Sequence, residues 1–320
     1  VEWFGWCNGV RGAPGQIQDD VDIIPGYNPI SVAAASALSG SAARADTHTI
    51  ARVIDDETLL RAYDEQLRGI GHAGRPGITI ERDGPLLRVT GQFRGFVTGP
   101  RDLGVRGAEL DALIARQRDF FTGRGEAVEW KTRAHDLPAD IPDRLRAAGF
   151  VPEARETVLM GLASDMAADP VLPPGAGLSE VIADADMHAI AAMESEVWGE
   201  DWSWLADDLI ARKSSAPDDM RVFVVHDEAS GEVVSAAWLV FYPGTEFAGL
   251  WGGSTLTAWR GRGIYRALVA VRAQRAVARG ARYLQVDASD DSAPILKRLG
   301  FRAVTATTPY VWNPSSGDEP

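Results

Sequence analysis

The sequence predicts an α/β (α+β) fold of two domains, each a mixed, mostly antiparallel sheet flanked by helices. Three observations carry that expectation. Short runs rich in Val, Ile, Phe and Trp alternate with segments of helical period. Turn signatures at Asp83-Gly84-Pro85, Ala229-Ser230-Gly231-Glu232 and Pro243-Gly244-Thr245 link neighbouring runs as antiparallel hairpins. Pro170, Pro173, Pro174, Gly175 and Gly177 interrupt the chain between two stretches of similar order. The predicted organisation is a flexible leader over 1–48, a first domain over 49–165 and a second over 170–315.

The leader mixes Gly, Pro, Ala and Ser without a sustained period, which reads as flexible chain; the alternative is that Trp3, Phe4, Trp6 and Tyr27 pin it to a folded domain. Leu59, Leu60, Tyr63, Leu67 and Ile70 then fall at helical spacing. Strands follow at Ile78–Arg82, Leu86–Thr90 and Phe93–Thr98, a helix from Gly107 to Gly123, a strand at Ala127–Lys131, a helix at Ile141–Ala148 and a strand at Thr157–Leu162. The second domain reads as strand Leu178–Ile182, helices Asp186–Val197 and Trp202–Lys213, and strands Val222–His226, Val233–Tyr242 and Phe247–Leu256. A helix from Gly263 to Arg279, strand Arg282–Asp287, helix Ser292–Leu299 and strands Phe301–Thr305 and Tyr310–Trp312 complete it. Both halves close alike, with Arg-Gly after a long helix and Gly-Phe after a short one (Arg124-Gly125, Gly149-Phe150; Arg279-Gly280, Gly300-Phe301). That repeat suggests an internal duplication, with convergent use of glycine stops as the alternative.

Composition narrows the function. A net charge of -13 opposes a phosphate-backbone binder and favours a cationic or neutral partner. One cysteine, Cys7, excludes an intrachain disulfide framework and fits a cytoplasmic protein. No apolar run reaches the roughly 18 to 20 residues of a membrane span. The histidines at 48, 72, 135, 188 and 226 are scattered, so no metal site is expected. His135-Asp136 is either a relic site or a surface loop. Neither a Walker sequence nor Gly-x-Ser-x-Gly occurs.

The most informative stretch is Thr255 to Arg266, which joins an apolar strand to a helix through Arg260-Gly261-Arg262-Gly263-Ile264-Tyr265. The first N–H groups of a helix lack intrahelical partners, and with the positive end of the dipole they hold anions. Arg260, Arg262 and Arg266 add charge, and the two glycines let oxygen approach the backbone.

This order of elements and this turn resemble the GCN5-related N-acetyltransferase (GNAT) superfamily, whose signature at that place is Arg/Gln-x-x-Gly-x-Gly/Ala. The resemblance covers roughly 170–314 well. Over 49–163 it extends only to topology, with Arg101-Asp102-Leu103-Gly104 as the nearest remnant of the turn, and so is similar to tandem members with a degenerate N-terminal copy. It implies an N-acyltransferase using acetyl-CoA as co-substrate to acetylate an amine on a small molecule or peptide. The pyrophosphate would lie on the backbone of residues 261–266, the pantetheine beside 252–256, and the thioester carbonyl against an N–H near Thr255 or Leu256. Three departures accompany it: Tyr265 replaces the last signature glycine, Leu296 stands where many members carry a proton-donating tyrosine, and Ser289 replaces a common asparagine. The alternative is a CoA-binding or regulatory module without turnover.

For catalysis, Glu246 at the start of the strand is a candidate base, or else a solvated turn residue. Asp287 ends a central strand where ligand sites open, or caps the next helix. With Leu296 in place, Tyr310 is the candidate acid. The segment from Glu194 to Trp204 corresponds to the wall of the family's acceptor site. Its indoles and carboxylates suit a cation, with Glu196, Trp198 and Trp202 as acceptor-binding candidates and core packing as the alternative for the tryptophans.

Overall fold

The computed structural model describes residues 54–68, 77–91 and 94–314; the leader expected over 1–48 lies outside the described residues. The first half contains α1 (Asp56–Gln66), β1 (Thr79–Asp83), β2 (Leu86–Thr90), β3 (Gly95–Thr98), α2 (Gly107–Arg124), β4 (Val128–Arg133), α3 (Ile141–Ala147), the two-residue β5 (Val151–Pro152), β6 (Glu156–Leu162) and α4 (Ala163–Met166). The second contains β7 (Ala176–Val181), α5 (Asp184–Trp198), α6 (Trp204–Ser215), β8 (Met220–Asp227), β9 (Val233–Phe241), β10 (Phe247–Thr255), α7 (Ile264–Ala278), β11 (Tyr283–Ala288), α8 (Ala293–Arg298) and β12 (Arg302–Trp312). Local chemistry sets the limits: the Asp55 carboxylate accepts the Thr58 N–H at 2.7 Å to cap α1, and left-handed Gly125 and Gly199 end α2 and α5.

One continuous sheet joins the halves, in the order β1-β2-β3-β4-β12-β6-β11-β10-β9-β8-β7, with β5 on β12. Two pairs are parallel, β3 with β4 and β10 with β11; the other pairs are antiparallel. The fold is therefore mixed α/β with a mostly antiparallel sheet flanked by helices. The last strand of each half leaves its own half: β6 pairs with β11, and β12 pairs with β4. The strands expected at 301–305 and 310–312 are one strand. A register shift between Ala303 and Thr305 lets its first part follow β6 while its second part, Thr307–Trp312, follows β4.

Two apolar cores result. One packs α2 and α3 on the first half through Leu110, Leu113, Ile114, Phe121 and Leu145. The other packs α5, α6, α7 and α8 on the second and also takes in Leu159 and Met166 from the first. Between the halves the alternation of β4 turns Glu129, Lys131 and Arg133 to one buried face. There Lys131 Nζ binds Asp287 Oδ2 at 2.7 Å, with Glu156 Oε2 at 3.8 Å. Burial opposes the charge of Lys131, but Asp287, Glu156 and Glu129 outweigh it and raise its pKa above the ordinary value.

Candidate active site

The turn before α7 has the geometry of an anion cradle. Gly261 and Gly263 have φ of 73° and 84°, a region that side-chain-bearing residues avoid, and Gly263 is the N-cap of α7. The Arg260 N–H goes to Thr257 O at 3.3 Å and the Ala267 N–H to Gly263 O at 3.1 Å. The amides between them, from Gly261 to Arg266, belong to the turn and the first helical turn, where intrahelical acceptors are lacking. Arg260, Arg262 and Arg266 are exposed around it. Arg260 Nε folds back to Thr255 O at 2.9 Å, and the Arg262 guanidinium sits 5.0 Å from the Trp259 ring centroid.

The strand leading into this turn splays from its neighbour. Pairing between β10 and β11 covers only Phe247–Tyr283, Ala248–Leu284 and Gly249–Gln285, yet β10 runs on to Thr255 and β11 to Ala288. Beyond Gly249 the two diverge, and β11 stays bonded to β6 on its other side as far as Ala288. A cleft opens between parallel strands, with the glycine turn at the far end of β10. Its β10 wall carries a bulge: Gly252 pairs with Ala237 and Ser254 with Ala236, which leaves Gly253 as the extra residue. Gly253 has φ of 107°, and a Cβ there would meet the Tyr265 ring at 2.6 Å. Tyr265, the departure from the expected glycine, thus folds its ring onto the bulge.

Two buried ionisable side chains flank this bulge, neither with an ion-pair partner among the described residues. From α7, Arg272 is 1% exposed and donates to Leu268 O at 2.9 Å, Trp251 O at 3.0 Å and Trp238 O at 3.4 Å. Burial lowers its pKa to about 10, so it stays charged at neutral pH. From α5, Glu194 is 2% exposed; Oε2 accepts the Trp198 indole N–H at 2.9 Å, and Oε1 has no hydrogen-bond partner among the described residues. Burial pushes its pKa up to about 7, a rise only partly offset by the Ser254 hydroxyl of β10 and by Trp198. Trp198 continues outward into a stack, with ring centroids 6.0 Å from Trp202, which in turn lies 5.6 Å from Trp204.

The structure distributes the sequence candidates unevenly. The turn residues gather as expected, as do Trp198 and Trp202. Glu196 is exposed, because two residues along a helix is a rotation of about 200°. The carboxylate turned inward is Glu194, which follows the buried stripe Met187, Ile190 and Ala191 at helical spacing; that phase was the available signal. The Leu256 N–H is committed to Val234 O at 2.9 Å because the end of β10 remains on the ladder with β9, so it cannot serve as an oxyanion donor. Glu246 lies at the closed end of β10, where it accepts from Gln66 Nε2 at 3.0 Å and faces Arg282 at 3.6 Å. Asp287 neither caps α8 nor stands free; Lys131 and Gln285 Nε2, each at 2.7 Å, hold it. Tyr310 is in the first-half core, on the part of β12 that pairs with β4, beneath Arg146. Leu296 is 0% exposed in the core.

The corresponding place in the first half is closed. The Asp102 carboxylate accepts the Gly104 N–H at 2.9 Å and a guanidinium N–H of Arg106 at 2.8 Å, so this amide of the turn before α2 already has an anionic partner. Leu137 N–H donates to Arg101 O at 2.7 Å and Leu103 N–H to Leu137 O at 3.0 Å, which joins the chain after β3 to the chain after β4.

Comparison with known proteins agrees with this geometry. The GCN5-related N-acetyltransferase from Kribbella flavida has a TM-score of 0.58 at 17% identity, over 80% of this chain and 93% of that one. Its counterpart from Sphaerobacter thermophilus gives 0.54 at 17%, over 75% and 84%. A tandem GNAT protein from the clavulanic acid biosynthesis pathway, solved without AcCoA, gives 0.55 at 15%, over 76% and 86%. At such identities the likeness is one of fold. No curated protein matches in sequence. Residues 187–301, which contain the splayed strands, the glycine turn and Glu194, match the acetyltransferase (GNAT) family.

Proposed function

We propose that this protein is an acetyl-CoA-dependent N-acyltransferase that acetylates an amine of a cationic small molecule or peptide in the cleft between β10 and β11. The observation that carries this reading is the cleft itself: a parallel pair whose pairing ends at Gly249 and Gln285 and which leads to a glycine turn at the start of α7, ringed by three arginines. Backbone N–H groups of Gly261 to Arg266 would hold the pyrophosphate, and Arg260, Arg262 and Arg266 its charge. The bulge at Gly252–Ser254, rather than Leu256, would orient the thioester carbonyl, with Arg272 fixing the adjoining carbonyl groups of Trp238 and Trp251. Acetyl-CoA supplies an activated acyl group; the chain's own work is to align it and exclude water. The indoles of Trp198 and Trp202 form the acceptor wall, suited to a cation by their ring faces.

On this reading the chain is a tandem of two related units, 49–165 and 170–315, the first with a degenerate turn. The repeated order of strands, the matching parallel pairs and the exchanged last strands support it. Asp102 in the anion's place gives the reason the first unit would take no CoA.

Calorimetry with acetyl-CoA and a thiol-release assay with primary amines test the proposal. Wild type should bind acetyl-CoA and release CoA when the right amine is present. Gly263→Val should abolish binding, since its backbone must hold φ of 84° beside the pyrophosphate. Unchanged binding by that variant refutes the placement of the cofactor. Binding by wild type without thiol release for any amine leaves a CoA-binding module instead.

A further inference from the structure

We infer that Glu194 is the proton acceptor for the attacking amine. The inference rests on the acyltransfer reading above and adds to it a residue and a proton path.

Glu194 is where such a group is required. It projects from α5 toward β10 at Ser254, the residue that closes the bulge, while the pairing of β10 with β11 ends on the other side of that bulge. One carboxylate oxygen is anchored by the Trp198 indole, and the other has no hydrogen-bond partner among the described residues. A buried acceptor left unsatisfied is costly, more so when charged, and active sites are where such costs are retained. Trp198 also begins the indole stack, so the surface that would receive a cationic amine leads directly to this carboxylate.

The groups that act on Glu194 leave it free to work near neutrality. Ser254 from β10 and Trp198 from α5 itself are neutral, and among the described residues no charged group of α6, β9 or β10 contributes to its raised pKa of about 7. A base poised there is about half deprotonated at neutral pH and basic enough to take a proton as attack proceeds. The other carboxylates considered are occupied: Asp287 by Lys131, and Glu246 by Gln66 and Arg282 at the closed end of the cleft.

The step balances with this one group. The neutral amine nitrogen forms a bond to the acetyl carbon as the carbon–sulfur bond breaks, and the electron pair leaves with sulfur. The amine's proton passes to the Glu194 carboxylate, directly or through the Ser254 hydroxyl, and then returns to the thiolate. The products are the amide and CoA thiol, and no tyrosine is needed at position 296, where Leu296 is part of the core.

The test uses Glu194→Gln, which keeps an oxygen for the Trp198 N–H, and Glu194→Asp, which keeps the titration. The probes are acetyl-CoA with a diamine, a polyamine, an arylalkylamine and a lysine peptide. Wild-type kcat should fall about tenfold per pH unit below about 7. Glu194→Gln should lose that acidic limb and about 100-fold or more of kcat at pH 8, with acetyl-CoA Kd within about twofold of wild type. Glu194→Asp should be slower but keep the limb. Glu194→Gln with wild-type kcat and pH profile overturns the assignment. Absence of thiol release by wild type with every probe overturns the acyltransfer reading instead, and the assignment with it.

Discussion

Glutamine at position 194 should make the protein more stable at alkaline pH than at acidic pH, relative to wild type. In the unfolded chain the Glu194 carboxyl ionises near 4.5, whereas in the folded protein burial keeps its proton on to about 7. The folded state therefore binds the extra proton between those limits. This contribution is complete below about 4.5 and is lost as the pH rises through about 7. At about 1.4 kcal/mol for each tenfold change in proton affinity, the loss comes to about 3 kcal/mol. The side chain is 2% exposed, so solvent screening removes little of it. Glutamine does not titrate, and the other carboxylates are shared by both proteins and cancel in the difference. Urea unfolding of wild type and Glu194→Gln at pH 5.0 and 8.5, without ligand, measures the effect. The stability of the variant relative to wild type should rise by about 2 to 3 kcal/mol between the two. An equal difference at both pH values would mean that Glu194 ionises like a surface carboxylate, and the argument from its burial would fail.

On the proposed reading, in which the indole lines the acceptor wall and not the glycine turn, Trp198→Ala should raise the KM of the amine several-fold while leaving acetyl-CoA affinity within about twofold. Steady-state kinetics with each substrate varied in turn would expose the opposite pattern. Lys131→Met should cost about 3 to 5 kcal/mol in denaturant unfolding, since it strands Asp287 and Glu156 beside a vacated buried charge. Adding Asp287→Leu should recover part of that loss, and full additivity of the two would argue against a direct pair.

The fold was legible wherever local chemistry decides it. Left-handed glycines after α2 and α5, Asp55 before α1 and the turns at 83–85 and 243–245 bound the elements close to where the sequence placed them. The glycine turn was legible for the same reason, as Gly261 and Gly263 hold φ of 73° and 84°, where side-chain-bearing residues are disfavoured. What sequence order hides is partnership across distance. Nothing near Tyr310 announces that β12 crosses to β4, so a tyrosine on the last strand looked available to the cleft when it is core in the other half. Asp287 reads as a free carboxylate until Lys131, 156 residues earlier, comes to lie 2.7 Å from it. Glu196 and Glu194 differ only in helical phase, and counting from Met187 through Ile190 and Ala191 selects the latter.

The exchanged strands give the first half a physical role that is independent of its own turn before α2. A cleft between parallel strands can stay open only if each wall is held from behind. The β10 wall has β9, and its bulge is tied to α7 through Arg272. The β11 wall has no neighbour from its own half on its outer side; β6 of the first half pairs with it along all six residues, from Tyr283 to Ala288. At the end of that pairing, where the cleft is open, Lys131 of β4 neutralises Asp287 and ties a second strand of the first half to the wall. This support does not depend on what the turn before α2 binds, because β4, β6 and Lys131 lie outside that turn. The first half can therefore fix the width of the cleft in which the second half would do its proposed chemistry.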